Sequence, residues 1–382
     1  MTVLSYGMIG GGQGSFIGDV HRKAAAFECK ARLVAGVFSR DYGNTVRTGQ
    51  SLGIDETRLY EDFERMAEAE VGKLDFVAIV TPNSSHYPIA KAFLERDIHV
   101  MCDKPLTCTV EEAEELVRIC RERDLLLGVT YTYTGYTMVK HAREMIRAGA
   151  IGEIRSVHAE YLQGWLATRV EDEGSKQAGW RTDPEQSGVS NCVGDIGSHI
   201  EHTVAYMTGL KVASLCARLD KFGPGRVLDD NAQILIEYDV GASGVYHCSQ
   251  IAIGHDNDLR IKVFGALGSI EWAQETPEFL RVALLGKPVM WLSRGNGYVD
   301  SAAADRFSRI PAGHPEGYYE AFANIYSAFA DAIIQRKCGE PAGAACRSSF
   351  DFPDAADGLA GVKFITKCVE SSAKGAQWVE VR

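Results

Sequence analysis

The sequence of 382 residues contains no apolar run approaching the roughly 20 residues that a helix needs to cross a bilayer, which excludes a helical membrane span. Basic charge is not in surplus either. Forty Lys and Arg stand against 51 Asp and Glu, and the net charge of −11 argues against a nucleic-acid partner. No basic segment followed by an apolar stretch and a small-residue cleavage site opens the chain. Its apolar start runs straight into a cluster of glycines, so a cytoplasmic protein is expected. The ten cysteines form no Cys-x-x-Cys pair, so neither a zinc site nor a redox dithiol is indicated. They read as reduced, mostly buried small apolar residues. Cys102 and Cys192 fall near the site residues named below, but neither has a base beside it in sequence, and a packing role is expected of both. Internal repeats and low-complexity linkers are absent too.

What remains is the profile of a globular protein, 46% hydrophobic and 24% charged, long enough for two domains. In the first third, short apolar runs at 3–9, 33–38, 76–80, 99–102 and 125–130 read as buried parallel strands. Helices are expected at 86–96 and 109–123, the second opened by a capping box of Thr109 and Glu112. This alternation predicts an α/β domain over 1–130, a doubly wound parallel sheet of the Rossmann type. Beyond a helix at 138–148 the pattern turns strand-like at 154–161, 212–219, 232–238, 244–251, 259–264 and 269–272, with partial alternation. An α+β domain with a mainly antiparallel open sheet is expected over 131–382, for substrate and oligomerisation. Helices follow at 318–334 and in the tail at 355–371, the latter placed to pack back on the first domain.

The first strand runs into Gly10-Gly11-Gly12-Gln13-Gly14-Ser15-Phe16-Ile17-Gly18. A glycine turn here lets backbone approach a pyrophosphate, and the next helix offers free N–H groups. The spacing does not close a regular G-x-G-x-x-G hexad; the turn is lengthened before the helix that carries His21. At the end of the second strand Ser39 stands where an NAD enzyme usually has an acid, and Arg40 and Asp41 follow. A hydroxyl and a guanidinium could accept the 2′-phosphate of NADP. Equally, Arg40 could stack on adenine or be solvated, and Asp41 could reach the ribose. The third strand ends in Thr81-Pro82-Asn83 and the fourth in Cys102-Asp103-Lys104-Pro105, both at the carboxyl edge where such folds bind ligands. Lys104 there needs a partner or a task. Proton transfer is one reading, and an ion pair with Asp103 or another acid is favoured on spacing alone.

Asp103-Lys104-Pro105, together with Asp195-Ile196-Gly197-Ser198-His199, resembles the paired motifs of the glucose-fructose oxidoreductase/inositol dehydrogenase (Gfo/Idh/MocA) family. There the first motif is Glu-Lys-Pro and the second Asp-x-Gly-x-His. The likeness runs nearly end to end, through Trp180-Arg181-Thr182-Asp183-Pro184 and Gly313-His314-Pro315-Glu316-Gly317. It departs at Ser190-Asn191-Cys192-Val193, where the family commonly has glycines. The pair of motifs specifies the family and not the substrate. The resemblance implies a nicotinamide-dependent dehydrogenase with Lys104, Asp195 and His199 as its catalytic set. Cofactor contacts are expected from Gly10, Gly12, Ser15, Phe16, Ile17, Ser39, Arg40, Thr81, Asn83, His86, Asp103 and Lys104. The lengthened turn with His21-Arg22, the segment 131–136 and Gln163-Gly164-Trp165 are similar to the levoglucosan dehydrogenase subgroup, which oxidises the C3 hydroxyl of an anhydrosugar with NAD. The cofactor is therefore NAD or NADP.

The chemistry fits these residue types. A hydroxyl giving up hydride must lose its proton; an imidazole is the side chain suited to taking it at physiological pH, which makes His199 a candidate, and Lys104 could stabilise the alkoxide. Asp195 lies four residues before His199, and on a helix through His202 the two share a face. Sugar contacts are expected from Tyr131, Tyr133, Gln163, Trp165 and Arg181, with packing or a salt bridge as the alternative for each. A metal held by Asp195, His199 and His202 is not expected, because hydride transfer needs none. The expected function is oxidation of a ring secondary hydroxyl of a sugar or anhydrosugar, C3 preferred. An inositol or cyclitol dehydrogenase and a non-catalytic NAD(P) sensor are the alternatives. An open sheet face predicts a homodimer or homotetramer.

Overall fold

The computed structural model describes residues 2–339 and 351–381, and the chain divides into two compact units. The first comprises residues 1–132 and 318–359, the second 133–317 and 360–382.

The first unit alternates strand and helix: β1 (Leu4–Gly10), α1 (Phe16–Ala26), β2 (Ala31–Val37), α2 (Tyr42–Ser51), α3 (Phe63–Ala69), β3 (Phe76–Val80), α4 (His86–Leu94), β4 (His99–Cys102), α5 (Val110–Glu122) and β5 (Leu127–Val129). All neighbouring strands are parallel, in the order β2-β1-β3-β4-β5. A single bridge from Gly36 to Leu59 extends the sheet beyond β2. The chain leaves β1 to one side and returns as β3 on the other, which opens a crevice at their carboxyl ends. The all-apolar β3 is buried on both faces, as a central strand must be. Thr109 and Glu112 form the expected capping box on α5. Helix α2 has the sequence YGNTVRTGQS, weak by propensity, and no helix was expected there. Tertiary bonds hold it: Thr45 Oγ1 accepts from the N–H groups of Phe38 and Ser39, at 3.2 and 3.1 Å.

One boundary differs from the expected division at 130/131. The helix Tyr318–Lys337 belongs to the first unit, because Phe322, Ile325, Tyr326, Phe329 and Ile333 enter one core with Val20, Ala24 and Phe76. Phe76 stacks on Tyr6 at 4.9 Å and meets Phe329 edge-on at 5.5 Å.

Burial lowers His21 of this unit from the ordinary 6.5 to about 4. His99 is lowered to about 4 as well, by burial and then by Arg336; its Nδ1 accepts from Leu126 N–H at 3.1 Å. A base depressed in the native state lets the unfolded chain bind protons first. This stability is therefore complete above the ordinary value and lost as pH falls toward the folded one, for His21 by about 3 kcal/mol. The urea midpoint is expected to fall between neutral pH and about pH 4, and less steeply in His21→Phe. Equal slopes in both proteins would contradict this.

The second unit begins with α6 (Thr137–Arg147), β6 (Ile154–Leu162) and α7 (Ser198–Thr208). Its remaining strands are β7 (Val212–Asp220), β8 (Asn231–Tyr238), β9 (Ser243–Ser249), β10 (Asp258–Gly265), β11 (Gly268–Ala273), β12 (Phe279–Leu284), β13 (Met290–Ser293) and β14 (Val379–Glu380). They form a nine-stranded sheet in the order β13-β12-β11-β10-β6-β9-β8-β7-β14, antiparallel except for the β6–β9 pair. Along β8, Ala232, Ile234, Ile236 and Tyr238 are buried while Gln233, Leu235 and Glu237 face outward, the period-two pattern of a half-covered sheet. The tail helix Ala355–Ala373 divides between the units at Leu359, so only its first turn belongs to the first; beyond it Phe364 meets Tyr246 in the second. Among the described residues no helix is long and apolar enough to cross a membrane.

Candidate active site

At the carboxyl end of β1 the backbone takes positive φ at Gly10 and Gly11, 85° and 75°. Gly12 N–H donates to the Phe38 carbonyl at 3.0 Å, and Arg22 Nη1 donates to the Gly11 carbonyl at 2.6 Å. Ser15 caps α1 by accepting from Gly18 N–H. The glycine that completes the irregular hexad is Gly18. A Cβ there would lie 2.3 Å from Gly11 Cα, so α1 can approach the turn only because position 18 carries none. The lengthened spacing hid this residue in the sequence. Backbone free of Cβ atoms, next to a helix N-terminus, fits a dinucleotide pyrophosphate. Phe16 is exposed, whereas the Ile17 side chain packs on the core and leaves only its backbone to the turn. Gly18→Ala is expected to weaken NAD binding at least about tenfold and to lower Tm, measured by titration and thermal melt. Unchanged affinity would remove Gly18 from the cradle.

Past β2, Ser39 Oγ accepts from Asp41 N–H at 3.1 Å. The Asp41 carboxylate caps α2 through Gly43 N–H and pairs with Arg47 at 3.4 Å. Asp41 is thus engaged in its own turn, while Arg40 is exposed.

Two further strand ends meet at this edge. His86, fully buried, has its ring nitrogens 2.9 Å from the carbonyl oxygens of Thr81 and Pro105, so it ties the end of β3 to the loop after β4. This replaces the expected cofactor contact: both ring nitrogens face protein carbonyls. Asn83 is buried nearby. The Lys104–Pro105 bond is cis. Asp103 Oδ1 accepts from Lys104 N–H at 2.9 Å and from Thr130 Oγ1 at 2.7 Å, so the acid fixes the backbone that carries Lys104. Behind it, buried His21 bonds Tyr326 through Nδ1 at 2.8 Å and sets Nε2 4.0 Å from Asp103 Oδ2. Tyr131 is buried in the same unit.

The second unit assembles the other predicted residues. Val193–Gly197 forms a π turn, with Ser198 N–H bonded to the Val193 carbonyl, and α7 continues from it. Asp195 lies in the π turn and His199 in the α-helix, a junction the four-residue spacing did not reveal. The Asp195 carboxylate accepts from Gln250 Nε2 at 2.9 Å and pairs with Arg181 Nε at 3.2 Å. Arg181, expected as a sugar contact, thus takes the salt-bridge alternative and also lies over the Trp180 ring at 4.3 Å. His199 is buried with the edge of Tyr133 at 4.6 Å and Tyr161 at 6.3 Å, centroid to centroid.

A polar chain continues from these rings. The hydroxyls of Tyr133 and Tyr161 bond each other, and Tyr161 donates to Asn257 Oδ1 at 2.5 Å. Gln163 Nε2 donates to the same oxygen at 2.8 Å, and Trp165 Nε1 donates to Gln163 Oε1 at 2.9 Å. Burial pushes the Tyr133 hydroxyl up to about 12, so it stays protonated. Tyr161, Asn257 and Gln250 were not anticipated. They sit on β6, before β10 and after β9, which the sheet brings together from distant sequence. His314, on a separate exposed loop, bonds the Pro311 carbonyl within its own turn. Among the described residues no cluster of His, Cys, Asp and Glu could hold a metal.

Comparison with known proteins matches residues 4–131 to the NAD-binding Rossmann fold of the oxidoreductase family and residues 139–271 to the GFO/IDH/MocA C-terminal domain. The uncharacterized oxidoreductase YfiI of Bacillus subtilis (strain 168) is 36% identical over 99% of this chain and 97% of its own. An inositol dehydrogenase homolog from Azotobacter vinelandii, solved with NADH and myo-inositol, superposes with a TM-score of 0.93 at 36% identity, covering 99% of this chain and 98% of that one. Levoglucosan dehydrogenase, solved with NADH and levoglucosan, gives a TM-score of 0.85 at 25% identity with both chains fully covered.

Proposed function

Because this chain belongs to the Gfo/Idh/MocA family of NAD-dependent oxidoreductases, we propose that it oxidises a ring secondary hydroxyl of a cyclitol or sugar to the ketone, with Lys104, Asp195 and His199 as the catalytic set. The observation that carries the substrate class is the wall beside His199. There Tyr133, Tyr161, Asn257, Gln163 and Trp165 join aromatic surface to a continuous run of hydroxyl and amide groups. A polyhydroxylated ring offers the matching mixture of apolar face and hydroxyl rim.

When bound, the nicotinamide takes the hydride; the chain's residues handle orientation and the proton. His199 and Lys104 share the hydroxyl proton and the charge left on its oxygen, and Asp195 holds the set in place. Gly10, Gly12, Gly18 and the first turn of α1 hold the pyrophosphate. The likeness to proteins solved with NADH supports NAD, and the solvated Arg40 beside Ser39 leaves NADP as the cofactor to compare. Myo-inositol is the first substrate to try and the C3 hydroxyl of levoglucosan the second.

The test is to follow reduced nicotinamide by absorbance with myo-inositol, levoglucosan and glucose, using NAD and NADP in parallel. Turnover of at least one polyol, with NAD preferred, is expected. NAD binding without reduction by any polyol would instead favour a cofactor sensor. We also propose a homo-oligomer through the outward sheet face, where Leu235 and Val245 are paired across β8 and β9 and both exposed. A monomer by light scattering would refute that part.

A further inference from the structure

The segment Ser190-Asn191-Cys192-Val193 departs from the family pattern, and its side chains make specific bonds. The buried Asp229 carboxylate accepts from Ser190 Oγ at 2.9 Å and from the N–H groups of Asn191 and Val193 at 3.1 and 3.0 Å. It thereby pins the segment that enters the π turn. Asn191, 1% exposed, then reaches Gln250, 0% exposed, and Gln250 reaches Asp195.

The direction of these bonds follows from the chemistry of each partner. The main-chain carbonyl of Asp229 can only accept, so the Asn191 atom 3.2 Å from it is the amide nitrogen. That nitrogen also lies 2.7 Å from one side-chain atom of Gln250, which must then be the oxygen. The other end of Gln250 is consequently an NH2 group, and it faces Asp195 Oδ2 at 2.9 Å. A Gln amide is often ambiguous in orientation; here a fixed acceptor two steps away removes the ambiguity. The main chain of Gln250 is anchored as well, its N–H to the Asp230 carbonyl and its carbonyl to Leu166 N–H, both at 2.9 Å.

We propose that Gln250, its amide locked in one orientation by Asn191, is a positioning residue for Asp195. It donates to the carboxylate while Arg181 lies on the same oxygen at 3.2 Å, so Asp195 is held in one rotamer. The Asn191 carbonyl accepts from Asp195 N–H at 2.7 Å, a main-chain bond that a side-chain substitution leaves in place; the Asn191 amide bonds Gln250, and through it acts on the Asp195 carboxylate. A buried amide that turned its oxygen toward the carboxylate would set two acceptors face to face. This rests on the reading of Asp195 as part of the catalytic set, and the experiment separates the two.

The first arm measures myo-inositol oxidation. Gln250→Met, similar in length, is expected to lower kcat about tenfold with the KM for NAD within about twofold. Gln250→Glu, which exchanges the donor for a second carboxylate, is expected to lose more. Asn191→Ala is expected to lose several-fold alone and nothing further in the Gln250→Met background. Additive losses, or an unchanged kcat in Gln250→Met, would overturn the proposal. If Gln250→Met does not fold, Gln250→Glu carries the same cycle. The second arm needs no substrate. In nitrogen-15 glutamine-labelled protein, the side-chain NH2 of Gln250 is expected to exchange slowly with solvent, and rapidly in Asn191→Ala and in Asp195→Ala. Slow exchange in all three proteins would overturn the proposal. If the wild-type protein oxidises no polyol while the second arm succeeds, the functional reading fails and the positioning stands.

Discussion

Lys104→Ala is expected to lower turnover with myo-inositol and NAD by about a thousandfold or more, with NAD affinity within about twofold of wild type. The split follows from where Lys104 is held. Its backbone N–H donates to Asp103 Oδ1, and Asp103 is anchored in turn by Thr130, so the loop keeps its shape when the Lys104 side chain is removed. The glycine turn and the first turn of α1, proposed to hold the pyrophosphate, lie at the end of β1 and are untouched by the substitution. What disappears is the ammonium group proposed to stabilise the alkoxide. Lys104→Arg is expected to recover little, because a planar fork does not replace a compact charge that can give up a proton. Full turnover in Lys104→Ala would remove Lys104 from the reaction.

The second large effect is expected of His199. In His199→Phe the ring packing against Tyr133 and Tyr161 is retained, and both ring nitrogens are lost. A fall in kcat of about a hundredfold to a thousandfold is expected, within the range for loss of a general acid or base. Tm is expected to change little, because the helix keeps its Thr203-to-His199 carbonyl bond at 2.7 Å and its aromatic contacts. A kcat within about twofold of wild type would show that another group takes the proton.

Much of the first unit could be read from the chain. Strands that are buried on both faces are continuous apolar runs, and β3 and β4 fall on the expected residues for that reason. The capping box at Thr109 was legible because both partners lie within one turn. Helix α2 was not, because hydroxyl bonds from Thr45 to the end of β2 override a glycine-rich sequence. The catalytic candidates were recognisable as motifs, but their supports were not. Gln250, Tyr161 and Asn257 lie between 34 and 58 residues from the nearest motif residue only when counted along the chain; sheet pairing, not spacing, brings them to Asp195 and Tyr133. The π turn at Val193–Gly197 has no local signature either.

The return of Tyr318–Lys337 to the first unit bears on synthesis. A nascent chain that has emerged only to residue 132 already carries all five parallel strands, yet the aromatic side chains that close over Tyr6 and Phe76 have not been made. The part that emerges first must therefore wait, with apolar surface open, until the part that emerges second is nearly complete. A protein cut after residue 132 should consequently aggregate, whereas one that joins 1–132 to 318–359 through a short linker has what it needs to fold.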